Sequence, residues 1–200
     1  MSRMLPRFRA RPGQYPAVSI LTAAVFSFAG LAEAEAFDWT VDPQKSEIAF
    51  ETGSGTTTKG VFRNYRTEIE FDPEMPEETA VHVVFDMKSA STGKQEADQT
   101  LQSADFFDTG HFPAAEFAAR GAKPDGDGKY ILEGRLTLKG VAKPVTLPFT
   151  IDIKDGTATV RAETTINRLD FGVGPATVAG SAGDTDVKLT IDLTAVRLDN

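Results

Sequence analysis

A chain of 200 residues is sized for one domain with room for an appendage. Its 21 Lys and Arg stand against 29 Asp and Glu, a formal charge of −8, which argues against nucleic acid as a partner. There is no cysteine, so disulfides, thiol chemistry and cysteine-held metals are excluded and the fold must stand on apolar burial.

The N-terminus reads as a targeting segment. Arg3, Arg7, Arg9 and Arg11 form a basic leader, Val18 to Leu31 is an uncharged apolar run, and Ala32-Glu33-Ala34-Glu35-Ala36 places small residues at alternate positions. That order predicts a secretory signal peptide over residues 1–36, cut after Ala34 or Ala36. Fourteen apolar residues are short for a membrane span, and no Cys follows them to carry a lipoprotein anchor. Four of the 21 basic and two of the 29 acidic residues lie in this leader, so the remaining 164 residues carry 17 and 27 and a charge of −10. The expected fate is export with cleavage.

The domain proper, 37–200, alternates apolar and polar residues almost throughout. Phe37 to Phe50 holds an aromatic pair, a turn at Asp42-Pro43 and a strand with Ile48 and Phe50 on one face. Thr52 to Thr58 reads as a hairpin loop, Lys59 to Tyr65 and Arg66 to Asp72 as strands, and Pro73 to Glu78 as a turn. Ala80 to Met87 puts Val81, Val83 and Phe85 on one side. Ala114 to Ala119 is a short strand ended by Gly121 to Gly128. Tyr130, Leu132, Gly134, Leu136 and Leu138 share one face, as do Val145, Leu147, Phe149, Ile151 and Ile153, with Pro148 favouring an edge or a bulge. Asp155-Gly156 is a hairpin turn, and Ala158 to Ile166 and Val187 to Ala195 repeat the pattern.

One stretch interrupts this rhythm. Lys94 to Ser103 lacks Gly and Pro and predicts a short helix. Phe106, Phe107, Phe112 and Phe117, four of the chain's 14 Phe, follow among Asp105, Asp108, His111 and Glu116. Exposing such rings forfeits about 1.5–3 kcal/mol each, so the segment folds back over one end of the sheet. Period-two alternation with one buried face means an antiparallel sandwich or barrel of about eight strands; strands of this length suit a barrel.

Several motifs resemble the YceI-like family. They are Trp39, Asp42, Ser46, Ile48 and Phe50 in W-x-x-D-x-x-x-S-x-I-x-F, then Lys59 to Phe62 and Ser89 to Gly93. Leu101 to Asp108 (L-x-S-A-D-F-F-D), followed by F-P-A-A-E-F, Gly134 to Leu147 and Ile166 to Val173 complete the set. The resemblance implies an all-β fold: an extended, lipocalin-like antiparallel barrel of about eight strands with a short helix. It implies a periplasmic protein that holds a long apolar ligand (a polyisoprenoid, isoprenoid quinone or fatty-acid derivative) in the barrel. It implies no cofactor, and a monomer or homodimer. Some proteins with this domain associate with membrane cytochromes of the b561 type. Two positions depart from the family pattern: Lys45 and Thr100 stand where many members have His.

The candidate apolar lining is Phe50, Phe71, Phe85, Phe106, Phe107, Phe112, Phe117, Leu136, Phe149 and Phe171, which serve equally well as ordinary core. Phe106, Phe107 and Phe112 read either as a lid that gates the barrel or as a plug. Asp98, Arg168 and Asp170 are the candidates for a polar head group; Arg168 and Asp170, two apart in a strand-like segment, would face the same side. His82 and His111 lack a metal-ligand spacing. Asp108 and His111 form a nominal dyad, with Ser103 or Thr109 as nucleophile, but no nucleophile motif surrounds them, so binding is preferred to catalysis.

Overall fold

The computed structural model describes residues 37–52, 58–178, 181–182 and 185–198; the leader and the Thr52–Thr58 loop residues 53–57 lie outside them. In chain order the elements are β1 (Asp38–Val41), β2 (Glu47–Thr52), β3 (Thr58–Phe62), β4 (Tyr65–Glu70), β5 (Ala80–Asp86) and β6 (Ala90–Ser91). There follow α1 (Gln95–Gln102), β7 (Ala114–Pro124), β8 (Lys129–Leu138), β9 (Val141–Lys154), β10 (Thr157–Asn167), the small pair β11 (Thr177–Val178) and β12 (Ser181–Ala182), and β13 (Asp186–Arg197).

Antiparallel neighbours run β1-β4-β5-β7-β8-β9-β10-β13, and β13 pairs back onto β1, closing the sheet. β2, β3 and β6 complete the wall rather than add to it. β13 lies along β2 through Val187–Asp192 and along β1 through Ala195–Arg197, so β1 and β2 are halves of one strand broken at Asp42–Ser46. β3 and β4 are likewise split at Arg63-Asn64, and β5 and β6 at the 3-10 turn Met87–Ser89. Backbone bonds Asp86 N–H to Asn64 O (3.0 Å) and Arg63 N–H to Ser89 O (3.3 Å) bridge the breaks. The result is a closed eight-stranded antiparallel barrel with one short helix.

Alternation dictates which residues face in, and the strands obey it. The β8 row Tyr130, Leu132, Leu136, Leu138 and the β13 row Val187, Leu189, Ile191, Leu193, Ala195 are buried or half-buried, while their neighbours are mostly more exposed. Gly134 interrupts the first row because the Phe117 ring lies across it: a Cβ there would stand 2.4 Å from Phe117 Cζ. Phe50 covers Gly60 in the same way, at 2.3 Å. Each glycine leaves room for a ring that a side chain would expel.

β7 departs from the expectation. It does not stop at Ala119 but runs to Pro124 through a bulge between Ala119 and Ala122, where Gly121 has φ +71 and its N–H bonds Thr79 O at 2.8 Å. Tyr65, placed by sequence at the end of one strand, begins the next.

Pro148 neither bulges nor lies on an outer edge, yet it creates a local one. The Lys139-Gly140 turn joins β8 to β9 with Leu138 opposite Val141, so ladder bonds between these strands fall on alternate pairs such as Leu136 with Lys143 and Leu132 with Leu147. Residues 144, 146 and 148 therefore direct their backbone groups at β10, and two of them, Pro144 and Pro148, have no N–H to offer. Pairing of β9 with β10 runs from Lys154–Thr157 to Phe149–Ala162 and stops there, although β10 continues to Asn167 and β9 begins at Val141. The Thr164 hydroxyl donates to Thr146 O at 2.9 Å across this gap.

The core is in two parts. At the end carrying α1, a cluster gathers Phe50, Met87, Phe107, Leu138, Phe171 and Val173; at the other end, Trp39, Phe71, Tyr130, Leu132, Ala158 and Ala195 pack together. Trp39 Nε1–H donates to Phe71 O (2.9 Å), and Phe71 meets Tyr130 edge-on at 5.2 Å.

Candidate functional site

Between the two clusters lies a cavity of about 190 Å³. Five strands contribute inward rows: Val81, Val83 and Phe85 from β5, Leu132, Leu136 and Leu138 from β8, Val145, Leu147, Phe149 and Ile151 from β9, Ala158 to Ile166 in alternation from β10, and Leu189 to Ala195 from β13. Among the described residues the hydroxyls on its wall are those of Thr67, Thr79 and Thr164. Two are engaged: Thr79 donates to Pro76 O at 2.6 Å and Thr164 to Thr146 O. Among the described residues no charged side chain lines the space. Such a wall offers water almost nothing and hydrocarbon a full set of contacts. Pockets for drug-sized ligands run about 300–1,000 Å³, so a long chain would fill this cavity and require its walls to give.

The predicted lining divides. Phe71, Phe85, Phe117, Leu136 and Phe149 line the cavity. Phe50, Phe107 and Phe171 are 5%, 8% and 2% exposed and belong to the cluster that closes the α1 end, with Phe106 packed on its rim. Phe112 lies against Gly140 and touches no cavity wall. Phe107 is packed within that cluster and not on the cavity wall. The loop around it is fastened by Lys139, whose ammonium donates to Ala104 O (2.8 Å) and Gly172 O (2.9 Å). Sequence reasoning passed over the small and β-branched wall residues, Ala158, Ala162, Ile69 and Thr67, although strand period two placed each on an inward row.

The polar candidates do not converge. Asp98 Oδ1 accepts from Thr92 N–H (2.6 Å) and Thr92 Oγ1 (2.7 Å), and Oδ2 from Ser91 Oγ (2.9 Å). These bonds, the Thr92 amide first, hold its carboxyl below the usual aspartate value. It clamps α1 to β6. Arg168 and Asp170 do not share a face: Arg168–Phe171 is a 3-10 turn, whose period of three sends Arg168 inward (7% exposed) and Asp170 to the surface. Arg168 Nη1 donates to Val173 O at 2.8 Å, bracing the loop.

Asp108 and His111 do meet, Oδ1 to Nδ1 at 2.9 Å, but the His111 side chain is 80% exposed and outside the cavity. His82 lies 3.6 Å from Glu68 on the outer face. Among the described residues no helix is long and apolar enough to cross a membrane. Tyr65 was not singled out by its sequence context: its hydroxyl is buried without a hydrogen-bond partner, and burial pushes the phenol up.

Known proteins place this barrel. The chain is 39% identical over 88 residues to a UPF0312 protein of Photorhabdus laumondii and 40% identical over 88 residues to protein YceI of Escherichia coli O157:H7. These stretches are 44% of the chain and 45% and 46% of the two relatives, so the chain spans less than half the length of these curated proteins in the match. Among solved structures it is similar to BcnA of Burkholderia cenocepacia, with TM-score 0.74, 27% identity, and 78% of this chain and 100% of the other covered. A polyisoprenoid binding domain from Saccharophagus degradans shares the fold at TM-score 0.64 and 15% identity, covering 82% of this chain and 99% of that one. The profile of the YceI-like domain matches residues 39–195, nearly the whole barrel, and this chain belongs to the YceI-like family.

Proposed function

We propose that this protein is an exported binding protein that carries or stores a long hydrophobic ligand inside the barrel. The observation that carries the reading is the cavity, whose wall is apolar from one end cluster to the other. Each five-carbon isoprene unit moved from water into such a wall contributes on the order of 4 kcal/mol gross, at about 0.8 kcal/mol per carbon. A few units therefore reach the affinity ceiling of non-covalent binding without any polar anchor. A polyisoprenoid, an isoprenoid quinone or a fatty-acid derivative all meet that requirement, and the fold shared with a domain described as polyisoprenoid binding supports the first. The basic-then-apolar order of residues 1–36 supports export to the periplasm. The position of the Asp108–His111 pair outside the cavity supports binding rather than chemistry on the ligand.

Organic extraction of the purified protein, followed by mass spectrometry, should yield a long-chain lipid in near-stoichiometric amount. Repeatedly empty extracts, with no uptake of added isoprenoid quinone, would sink the proposal.

A further inference from the structure

The wall of the barrel is not uniform, and its gap has a cation on the rim. Between the start of β9 and the end of β10 the ladder is missing, because Pro144 and Pro148 withhold the donors that would face β10. Directly behind that gap are cavity residues: Val145 and Leu147 on one rim, Thr164 and Ile166 on the other. One step up the same inward row of β9 from Val145 is Lys143, half-buried and opposite the cavity residue Leu136. A lysine on an inward row is out of place unless something takes its charge. Among the described residues Lys143 has no ion pair; Lys88, Lys94 and Lys129 have none either but are exposed, and Lys139 donates to two carbonyls, while Lys143 is half-buried. Two nearby cations are already engaged: Lys139 in the β8–β9 turn donates to Ala104 O and Gly172 O, and Arg168, in the turn after β10, to Val173 O. The acids of the neighbouring loops, Asp105 and Asp170, are exposed.

We infer that Lys143 binds the anionic head of the ligand, a carboxylate or a phosphate, at the open seam, while the apolar tail enters the barrel through that seam. This rests on the reading of the barrel as a hydrophobic-ligand site and narrows its ligand class. The seam gives the head a place in water's reach and the tail an immediate path to the cavity. A neutral head would leave the lysine unmatched.

The test compares two pairs of probes on protein stripped of co-purified lipid: palmitate with cetyl alcohol, and geranylgeranyl phosphate with geranylgeraniol. In each pair the tail is constant and only the charge differs. The unaltered protein should bind the anion of at least one pair about tenfold more tightly than its alcohol, as one charge-assisted contact at a half-buried site predicts. The pair with the larger ratio identifies the head as carboxylate or phosphate. Lys143→Gln should abolish the preference while leaving alcohol affinity unchanged, and Lys143→Arg should retain it. Equal affinities within both pairs, or a preference that survives Lys143→Gln, would overturn the inference while the barrel remains a lipid site. Failure of all four probes to bind would remove both readings.

Discussion

Truncating Phe107 separates a plug from a lid. The side chain is 8% exposed, its ring centroid is 6.4 Å from that of Phe62, and it shares a cluster with Met87, Leu138 and Phe171. Phe107→Ala in such surroundings should cost about 3–5 kcal/mol, the lost transfer energy plus the cavity left behind. In a domain of this size each kcal/mol moves the thermal midpoint roughly 2–4 °C, so the midpoint should fall by about 6–20 °C. Phe106 is only half-buried, against Gly174, and its truncation should cost less, about 1–2 kcal/mol. Ligand off-rate, measured on the same proteins by competition with a fluorescent lipid, should change little, because the plug does not line the cavity. A midpoint that barely moves together with a much faster off-rate would refute this reasoning and make the segment a lid.

Two further outcomes follow from the same geometry. Pro148→Thr supplies an N–H facing the carbonyl of Glu163; the new hydrogen bond, worth about 0.5–1.5 kcal/mol, is offset by the roughly 0.4–1 kcal/mol lost when the unfolded chain regains freedom. The midpoint should hardly change while ligand exchange slows, and an unchanged exchange rate would show that the seam is not the route. Asp98 has a folded pKa below its ordinary value of 3.8, so its contribution to stability is present above about pH 4 and is lost as pH falls through the folded value. Asp98→Asn should lower the midpoint near neutrality and flatten its acid dependence, read by thermal melts across pH; parallel curves for the two proteins would contradict the clamp.

The rows that face inward were legible because each strand buries one side only, and period two then leaves no choice for Leu132 or Leu193. α1 was legible within a residue at each end because Gln95–Gln102 has no Gly or Pro and is made mostly of helix formers. Whereas the Asp42-Pro43 turn and a boundary near Tyr65 were read, sequence concealed two irregularities, the bulge that carries β7 past Gly121 and the break between β5 and β6 at Met87–Ser89. These depend on pairing partners far away in the chain, such as Thr79 for Gly121, and no local signal announces them. Phe71, Phe85, Phe117, Leu136 and Phe149 face the cavity because large inward residues reach a central space. Phe107 and Phe171 carry the same chemical signature, and only the closure of the barrel end sorts them into the cluster there. Arg168 and Asp170 were misread for one reason: a 3-10 turn replaced the assumed strand and parted residues that period two would have aligned.

The packed clusters sit at the two ends of the barrel and flank the cavity, so the chain's own side chains supply the packing at both ends. In proteins whose ligand completes the core, unloading and unfolding are one event. Here the Trp39–Phe71 and Phe107–Phe171 ends are closed by the chain's own side chains, and binding adds stability by mass action to a shell that already stands. A barrel built this way would keep its fold both before a ligand enters and after it leaves.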